Sequence, residues 1–129
     1  MSEWNAMTYE GKDTILRVVN DEAQQFFALA GAPGAWEAPT ACANWTTRDA
    51  VGHIVDTTEG YFAAFAAATG TGEQRPVHGL PAMAHLANEG AIALRDVAPD
   101  ELLDRLRKDQ RQMSTMLAAL GPEEWTGMM

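Results

Sequence analysis

The stretch Trp45-Thr46-Thr47-Arg48-Asp49-Ala50-Val51-Gly52-His53 begins the most clearly marked helix of the chain. Thr46 with Asp49 three residues later is close to a capping box, in which Asp replaces the usual Glu at the third helical position. The main face of the following helix recurs at helical spacing as Val51, Ile54, Thr58, Tyr61, Phe62 and Phe65. We therefore predict a helix that begins at Thr46, ends near Thr69 and is about 35 Å long.

Three further stretches show helical periodicity, and no stretch shows a sustained two-residue alternation. They run from about Thr8 to Ala30, from Pro81 to about Asp96, and from Pro99 to Leu120. Segments rich in Gly and Pro separate them, as expected for helix ends and loops. The pattern predicts an all-α bundle that forms a single domain over residues 1–129, a length typical of one domain.

The composition narrows the choice of partners. The chain has 18 acidic and 9 basic side chains, a formal charge of −9, which disfavours nucleic acid and anionic membrane surfaces. The N-terminal residues contain no basic n-region and no apolar h-region, so we expect no secretory leader, and no apolar run approaches the ~20 residues that span a bilayer. Cys42 is the only cysteine, which excludes an intramolecular disulfide and a zinc site of several thiolates. We expect a cytoplasmic protein that binds neither nucleic acid nor membranes.

Two histidines are candidates for a metal site. His53 follows Asp49 by four residues and precedes Asp56 by three, so a carboxylate on a neighbouring turn could orient its ring toward a metal or a substrate. The spacing alone favours a structural histidine, because a histidine near a helix N-terminus with an acidic neighbour is common. His85 and Glu89 stand four residues apart on the third helix, a spacing that suits two metal ligands but also occurs frequently by chance. His78 lies in a loop of Pro and Gly and is expected in solvent.

Other polar residues stand where apolar ones are expected. Asp109 and Gln110 interrupt the apolar face of the last long helix, so they either line a polar cavity or set the register of the helix. Glu22 stands at the edge of the first helix's apolar face, where it is either a site carboxylate or a charge that reaches water. Cys42 has no base near it in the sequence and is expected to be a packing residue.

A second seam of mostly small residues runs along the second helix. Its members lie at alternating spacings of three and four: Ala50, His53, Thr57, Gly60 and Ala64. Small side chains allow close approach of another helix, and a helix in a bundle usually contacts two neighbours. The seam therefore predicts a second helix contact on the His53 side.

Trp45 to His53, preceded by Pro39-Thr40-Ala41-Cys42, resembles the N-terminal family of mycothiol-dependent maleylpyruvate isomerases, as does the ending Leu120-Gly121-Pro122-Glu123-Glu124-Trp125. That family belongs to the DinB-like metal-binding four-helix bundles. The resemblance implies an up-down bundle that binds a divalent metal, zinc or nickel, with His53 as the first ligand. It also implies mycothiol or a similar small-molecule thiol as co-substrate and an electrophilic substrate, in an isomerase or S-transferase whose metal lowers the pKa of the thiol.

The chain departs from this pattern in its other two ligands. In the family these are a Glu or His and a His one helical turn apart on a later helix, and no such pair follows His53. We therefore expect a bundle that lacks the last ligand-bearing helix. It would be a shortened form of a longer protein, or a homodimer that fills the vacancy, with His85 and Glu89 as weaker metal candidates. The alternative is a non-catalytic dimeric binding module in which His53 is structural.

Overall fold

A computed structural model describes residues 8–74 and 76–127 of the chain. A 3₁₀ turn at Tyr9–Gly11 precedes five helices, which are α1 Lys12–Ala30, α2 Thr47–Ala68, α3 Leu80–Ala93, α4 Pro99–Ala118 and α5 Pro122–Gly127. These residues contain no strand, which confirms the all-α prediction and agrees with a DinB-like helical bundle. Within the described ranges, no helix is both long enough and apolar enough to cross a membrane.

The helix bounds agree closely with the sequence patterns except at the start of α1 and the end of α3. Thr46 is the N-cap of α2 and Pro99 begins α4, as predicted. The predicted first turn of α1 is instead the 3₁₀ turn at Tyr9–Gly11. α3 ends at Ala93 because its last turn tightens into bonds between residues three apart. The short α5 was not predicted, and it buries Trp125.

The core lies where α4 packs on α1 and α2. Its buried side chains are Phe27, Ala30, Val51, Val55, Leu102, Leu103 and Leu106. α4 packs against both α1 and α2, whereas α1 and α2 have only a small contact with each other. α3 packs on the opposite flank of α2. The apolar faces of α1 and α2 therefore close on α4 but leave a gap between themselves.

An ion pair between a buried aspartate and a partly exposed arginine joins α2 to the segment after α3. Arg95 donates to both carboxylate oxygens of Asp49, from Nε at 2.7 Å and from Nη2 at 3.1 Å. Asp49 is only 3% exposed and also accepts the backbone N–H of Thr46 at 3.1 Å, the capping interaction expected from the sequence. The Arg95 guanidinium holds the pKa of Asp49 below its usual value. One carboxylate thus caps α2 and holds α3 beside it.

Two glycines allow α3 to lie close to α2. A Cβ on Gly52 would lie 3.3 Å from the carbonyl oxygen of Ala91, and a Cβ on Gly90 would collide with the carboxylate of Asp56. Gly90 is unfavourable inside a helix, and the close contact explains its presence. This contact does not use the small-residue seam predicted for a second helix, in which Thr57 and Ala64 are exposed.

A cluster of charged side chains, Glu59, Arg105 and Asp109, lies between α2 and α4. Arg105 donates to both carboxylate oxygens of Glu59, at 2.7 and 2.6 Å, and lowers the pKa of Glu59. Asp109 is 6% exposed, and its Oδ2 has no hydrogen-bond partner among the described residues. Burial, together with the nearby Glu59 carboxylate, raises the pKa of Asp109 to about 6. Ionised Asp109 is therefore a destabilising charge at neutral pH.

Replacing Arg95 should show how much a buried, unpaired Asp49 carboxylate destabilises the fold. We expect Arg95→Met to lower the free energy of unfolding at pH 7, because the carboxylate of Asp49, which is 3% exposed, would lose its cationic partner. The lowered pKa of Asp49 means that its pairing stabilises the fold above the unfolded pKa near 4 and is lost below it. Urea unfolding at pH 7 and at pH 3.5 measures both effects, and the deficit should shrink at the lower pH.

Arg17→Met is the matched control for this experiment, since Arg17 is an exposed arginine on α1. Its effect should stay within about 0.5 kcal/mol at both pH values. An Arg95→Met protein as stable as the control would contradict the role given to the ion pair.

Asp109→Asn should stabilise the protein near neutral pH. The raised pKa of Asp109 means that folding favours the protonated form, so its contribution to stability falls as the pH rises from about 4 to 6. We expect the variant to gain about 1–3 kcal/mol at pH 7.5 and almost nothing at pH 4. Chemical unfolding across this range measures the gain. Asp104→Asn, an exposed aspartate on the same helix, should show no such rise, and a pH-independent gain for Asp109→Asn would contradict the assignment.

Candidate functional site

His53 lies on the second turn of α2, and two neighbours orient its half-buried ring. The Trp45 ring packs against it with centroids 5.2 Å apart and planes tilted by 42°. The Oγ1 of Thr57, one turn later, lies 3.5 Å from Nδ1 of the histidine. In the tautomer that carries its proton on Nδ1, this N–H points to Thr57 and Nε2 keeps a free lone pair. Nε2 makes no hydrogen bond or ion pair with the described part of the chain.

Trp45 is itself held from two directions. Its indole N–H donates to Oδ1 of Asn88 on α3 at 3.0 Å. In the loop before α2, the hydroxyl of Thr40 donates to the carbonyl of Trp45 at 2.9 Å and accepts the backbone N–H of Cys42 at 3.1 Å. Asn44 turns this loop with a φ of 67°, a conformation that Asn tolerates better than most residues. The loop and α3 together fix the surface on which the histidine ring lies.

Neither aspartate that flanks His53 in the sequence orients its ring. Asp49 is occupied by Arg95 and by the backbone of Thr46. Asp56 lies against Gly90 on the α3 side of the helix. The hydroxyl of Thr57 takes the position that the spacing suggested for a carboxylate.

The two weaker metal candidates contact each other but not His53. His85 Nε2 lies 3.1 Å from Glu89 Oε1, and both side chains are largely exposed on α3. No three His, Cys, Asp or Glu side chains in the described ranges are arranged to hold a metal ion. The described residues therefore present the imidazole of His53 apart from the pair of His85 and Glu89, and they do not by themselves form a complete divalent-metal site.

The remaining predicted residues lie elsewhere. Cys42 is exposed and unpaired, rather than packed as expected, because the loop before α2 holds its backbone and leaves the side chain outside. His78 is exposed, as expected. Gln110 is half-buried and lines a cavity, whereas Asp109 belongs to the contact between α2 and α4. Gln110 thus lines a cavity, although a mainly apolar one, and Asp109 lies at a contact between two helices.

A cavity of about 770 Å³ opens in the gap between α1 and α2, with α4 as its floor. Its walls are mainly apolar and aromatic and include Val19, Phe26, Tyr61, Phe65, Met113 and Leu117. Glu22 and Ser114 also line it. Gln110 donates to Asn20 on α1 at 2.5 Å and to Ser114 at 3.0 Å, which ties α1 to α4 beside the cavity. Sequence periodicity assigned Val19 and Tyr61 to the core, and their exposure was not foreseen.

Comparison with known proteins supports the resemblance seen in the sequence. Residues 19–128 match the family model described as the mycothiol maleylpyruvate isomerase N-terminal domain. Neither the curated proteins nor the solved structures include a significant match to the chain. The family match covers α2, α3, α4 and α5, the loop that carries Trp45, and most of α1. The chain therefore belongs to the mycothiol maleylpyruvate isomerase N-terminal domain family.

Proposed function

We propose that this protein binds a divalent metal, zinc or nickel, through Nε2 of His53 and serves thiol chemistry in the cytoplasm. The co-substrate would be mycothiol or a similar small-molecule thiol, the substrate an electrophile, and the reaction isomerisation or S-transfer. One observation carries the proposal: the ring of His53 lies between Trp45 and Thr57, and its Nε2 has no partner among the described residues. The resemblance to the family implies that this histidine is the first ligand. A neutral imidazole fixed in this way is suited to metal binding.

The chain's own residues restrict the motion of this imidazole. The Trp45 ring packs against the ring of His53. The hydrogen bond from the Trp45 indole to Asn88 links this contact to α3. Thr57 places a hydroxyl 3.5 Å from Nδ1, where it can accept from the tautomer that leaves Nε2 unprotonated. Preorganisation of this kind reduces the entropy lost when a ligand binds.

One imidazole binds zinc weakly compared with a set of three protein ligands. We propose that a second copy of the chain supplies the others, so that the metal joins a homodimer. Thr57 and Ala64 are exposed on the His53 side of α2, where small side chains permit close approach. His85 and Glu89 are exposed on α3 and form an acceptable pair of metal ligands.

Zinc titration tests the metal proposal on the full chain. We expect zinc to bind by isothermal titration calorimetry at pH 7.4 and to convert monomer to dimer in sedimentation velocity. His53→Ala should weaken zinc binding at least about tenfold, because second-shell and ligand losses typically cost this much or more. His78→Ala is the matched control and should bind zinc like the unmodified protein, since His78 is an exposed loop residue. Equal zinc binding by both variants would overturn the role of His53.

The effect of zinc on dimer formation tests whether His85 and Glu89 supply the remaining ligands. If His85 and Glu89 supply them, His85→Ala should abolish the zinc-dependent change in sedimentation while leaving the metal-free species unchanged. Persistence of that change in His85→Ala and in Glu89→Ala would exclude this pair. A dimer that forms equally well with and without zinc would contradict a metal-joined interface.

Mycothiol-dependent isomerisation of maleylpyruvate tests the catalytic part. We expect turnover that requires both the thiol and added metal and that His53→Ala reduces at least about a hundredfold, as expected for loss of a metal ligand at a reacting centre. His78→Ala should retain turnover. Far-UV circular dichroism of each variant checks that the helices remain folded. Zinc binding without any thiol-dependent turnover would contradict the enzyme and leave a metal-binding module.

The second candidate function is a non-catalytic dimeric binding module in which His53 is structural. The packing of the histidine on Trp45 favours it, because this contact also joins α2 to the loop and to α3. In that case His53→Phe, which keeps an aromatic contact, should preserve thermal stability while His53→Ala lowers it, and neither should change metal content. Loss of metal in His53→Phe with unchanged stability would favour the metal-binding function.

A further inference from the structure

We infer that Asn88 on α3 is a positioning residue for His53 and acts through the indole of Trp45. The Oδ1 of Asn88 accepts the indole N–H at 3.0 Å, and the Trp45 ring packs on the imidazole with centroids 5.2 Å apart. The inference rests on the metal-binding role proposed for His53. Its test includes a metal-free measurement, so that the two proposals can fail separately.

Asn88 stands where helix propensity favours another residue. It lies in the interior of α3, and its side chain is exposed. Asn is a weaker helix former than Ala or Leu, because its amide competes for backbone hydrogen bonds. Ala precedes it and recurs along the helix. The hydrogen bond to Trp45 is a specific reason for an amide at this position.

The backbone of Trp45 is fixed independently of Asn88. Its N–H donates to the carbonyl of Cys42 at 3.1 Å, and its carbonyl accepts the backbone N–H of Thr40 at 3.1 Å and the Thr40 hydroxyl at 2.9 Å. Rotation about the two side-chain torsions is therefore the main freedom left to the indole. Because an indole nitrogen can only donate, the acceptor on Asn88 selects the orientation that brings Nε1 to α3.

The part of α3 that carries Asn88 is held firmly on α2. Arg95, just beyond the helix, donates to both carboxylate oxygens of Asp49. A Cβ on Gly52 would lie 3.3 Å from a carbonyl oxygen of α3, so the two backbones are close. A ligand is oriented precisely when its supporting residues stand on rigid elements. The hydrogen bond from the indole thus makes the ring that packs on His53 depend on a fixed helix.

This hydrogen bond is suited to orientation rather than to stability. It joins two neutral groups and is exposed to solvent. Such a bond contributes little to the free energy of unfolding, because water replaces the lost partner. We therefore expect Asn88 variants to keep their helices, as far-UV circular dichroism would show, while the His53 ring gains freedom.

The ring protons of His53 report its packing on Trp45 in the metal-free protein. The indole ring current displaces their NMR resonances, and Trp45→Leu gives the resonances without it. We expect Asn88→Leu to lose most of this displacement at pH 7.4, whereas Asn88→Asp retains an acceptor oxygen and should keep it. Gln112→Leu, which replaces an exposed amide on α4, is the matched control and should keep it too. Unchanged His53 resonances in Asn88→Leu would overturn the inference.

A double-mutant cycle in zinc affinity tests whether Asn88 acts through the indole. Asn88→Leu should weaken zinc binding in isothermal titration calorimetry about three- to tenfold, less than the loss of His53 itself. Trp45→Phe keeps an aromatic ring without the N–H and should weaken binding about as much. Adding Asn88→Leu to Trp45→Phe should then weaken it no further. Fully additive losses would overturn the route through Trp45.

The two measurements separate this inference from the proposed function. If the unmodified chain binds no zinc while Asn88→Leu still displaces the His53 resonances, the metal role fails and positioning by Asn88 stands. If His53→Ala weakens zinc binding while Asn88→Leu changes neither the resonances nor the affinity, the metal role stands and positioning by Asn88 is wrong.

Discussion

The buried carboxylate of Asp49 is the constraint on which the site depends. It satisfies the N-terminal backbone of α2 through Thr46 and binds Arg95 with both oxygens. The first contact specifies where α2 begins, and the second holds the end of α3 against the start of α2. Because α3 is held there, Asn88 reaches the indole of Trp45, and Trp45 lies against His53. The orientation of the candidate metal ligand therefore follows from an ion pair that does not touch it.

Polar side chains link α4 to α2 on one side and to α1 on the other. Asp109, Glu59 and Arg105 form a charged cluster between α4 and α2, while Gln110 bonds to α1 through Asn20. The ammonium group of Lys12 links α1 to the end of α4. It donates to the carbonyl of Ala118, the last residue of α4, at 2.9 Å and to that of Leu120 at 3.0 Å. These contacts orient α4 toward both neighbours at once. α1 and α2 then stand apart, and the space between them is the cavity.

His53 and the cavity between α1 and α2 are separate features of the fold, because His53 does not line the cavity. The chain belongs to the mycothiol maleylpyruvate isomerase N-terminal domain family, and the role proposed for His53 rests on the resemblance of its sequence motif to that family. The motif around Trp45 contains no residue that lines the cavity, whose walls are mainly apolar and aromatic. The amino-acid pattern around Trp45 indicated His53 as a candidate ligand but carried no signal for the cavity.

The sequence by itself determined the helices, the cap of α2, the family and the candidate ligand His53, because these depend on local spacing within a turn or two of the chain. It could not determine which partner each polar side chain would take. Asp49 was free to serve His53 or Arg95, and Gln110 to face a cavity or a helix, until packing brought residues 46 and 90 positions away into reach. Only the tertiary structure decided these choices, since a buried carboxylate or amide binds whichever complementary group the helix contacts place beside it.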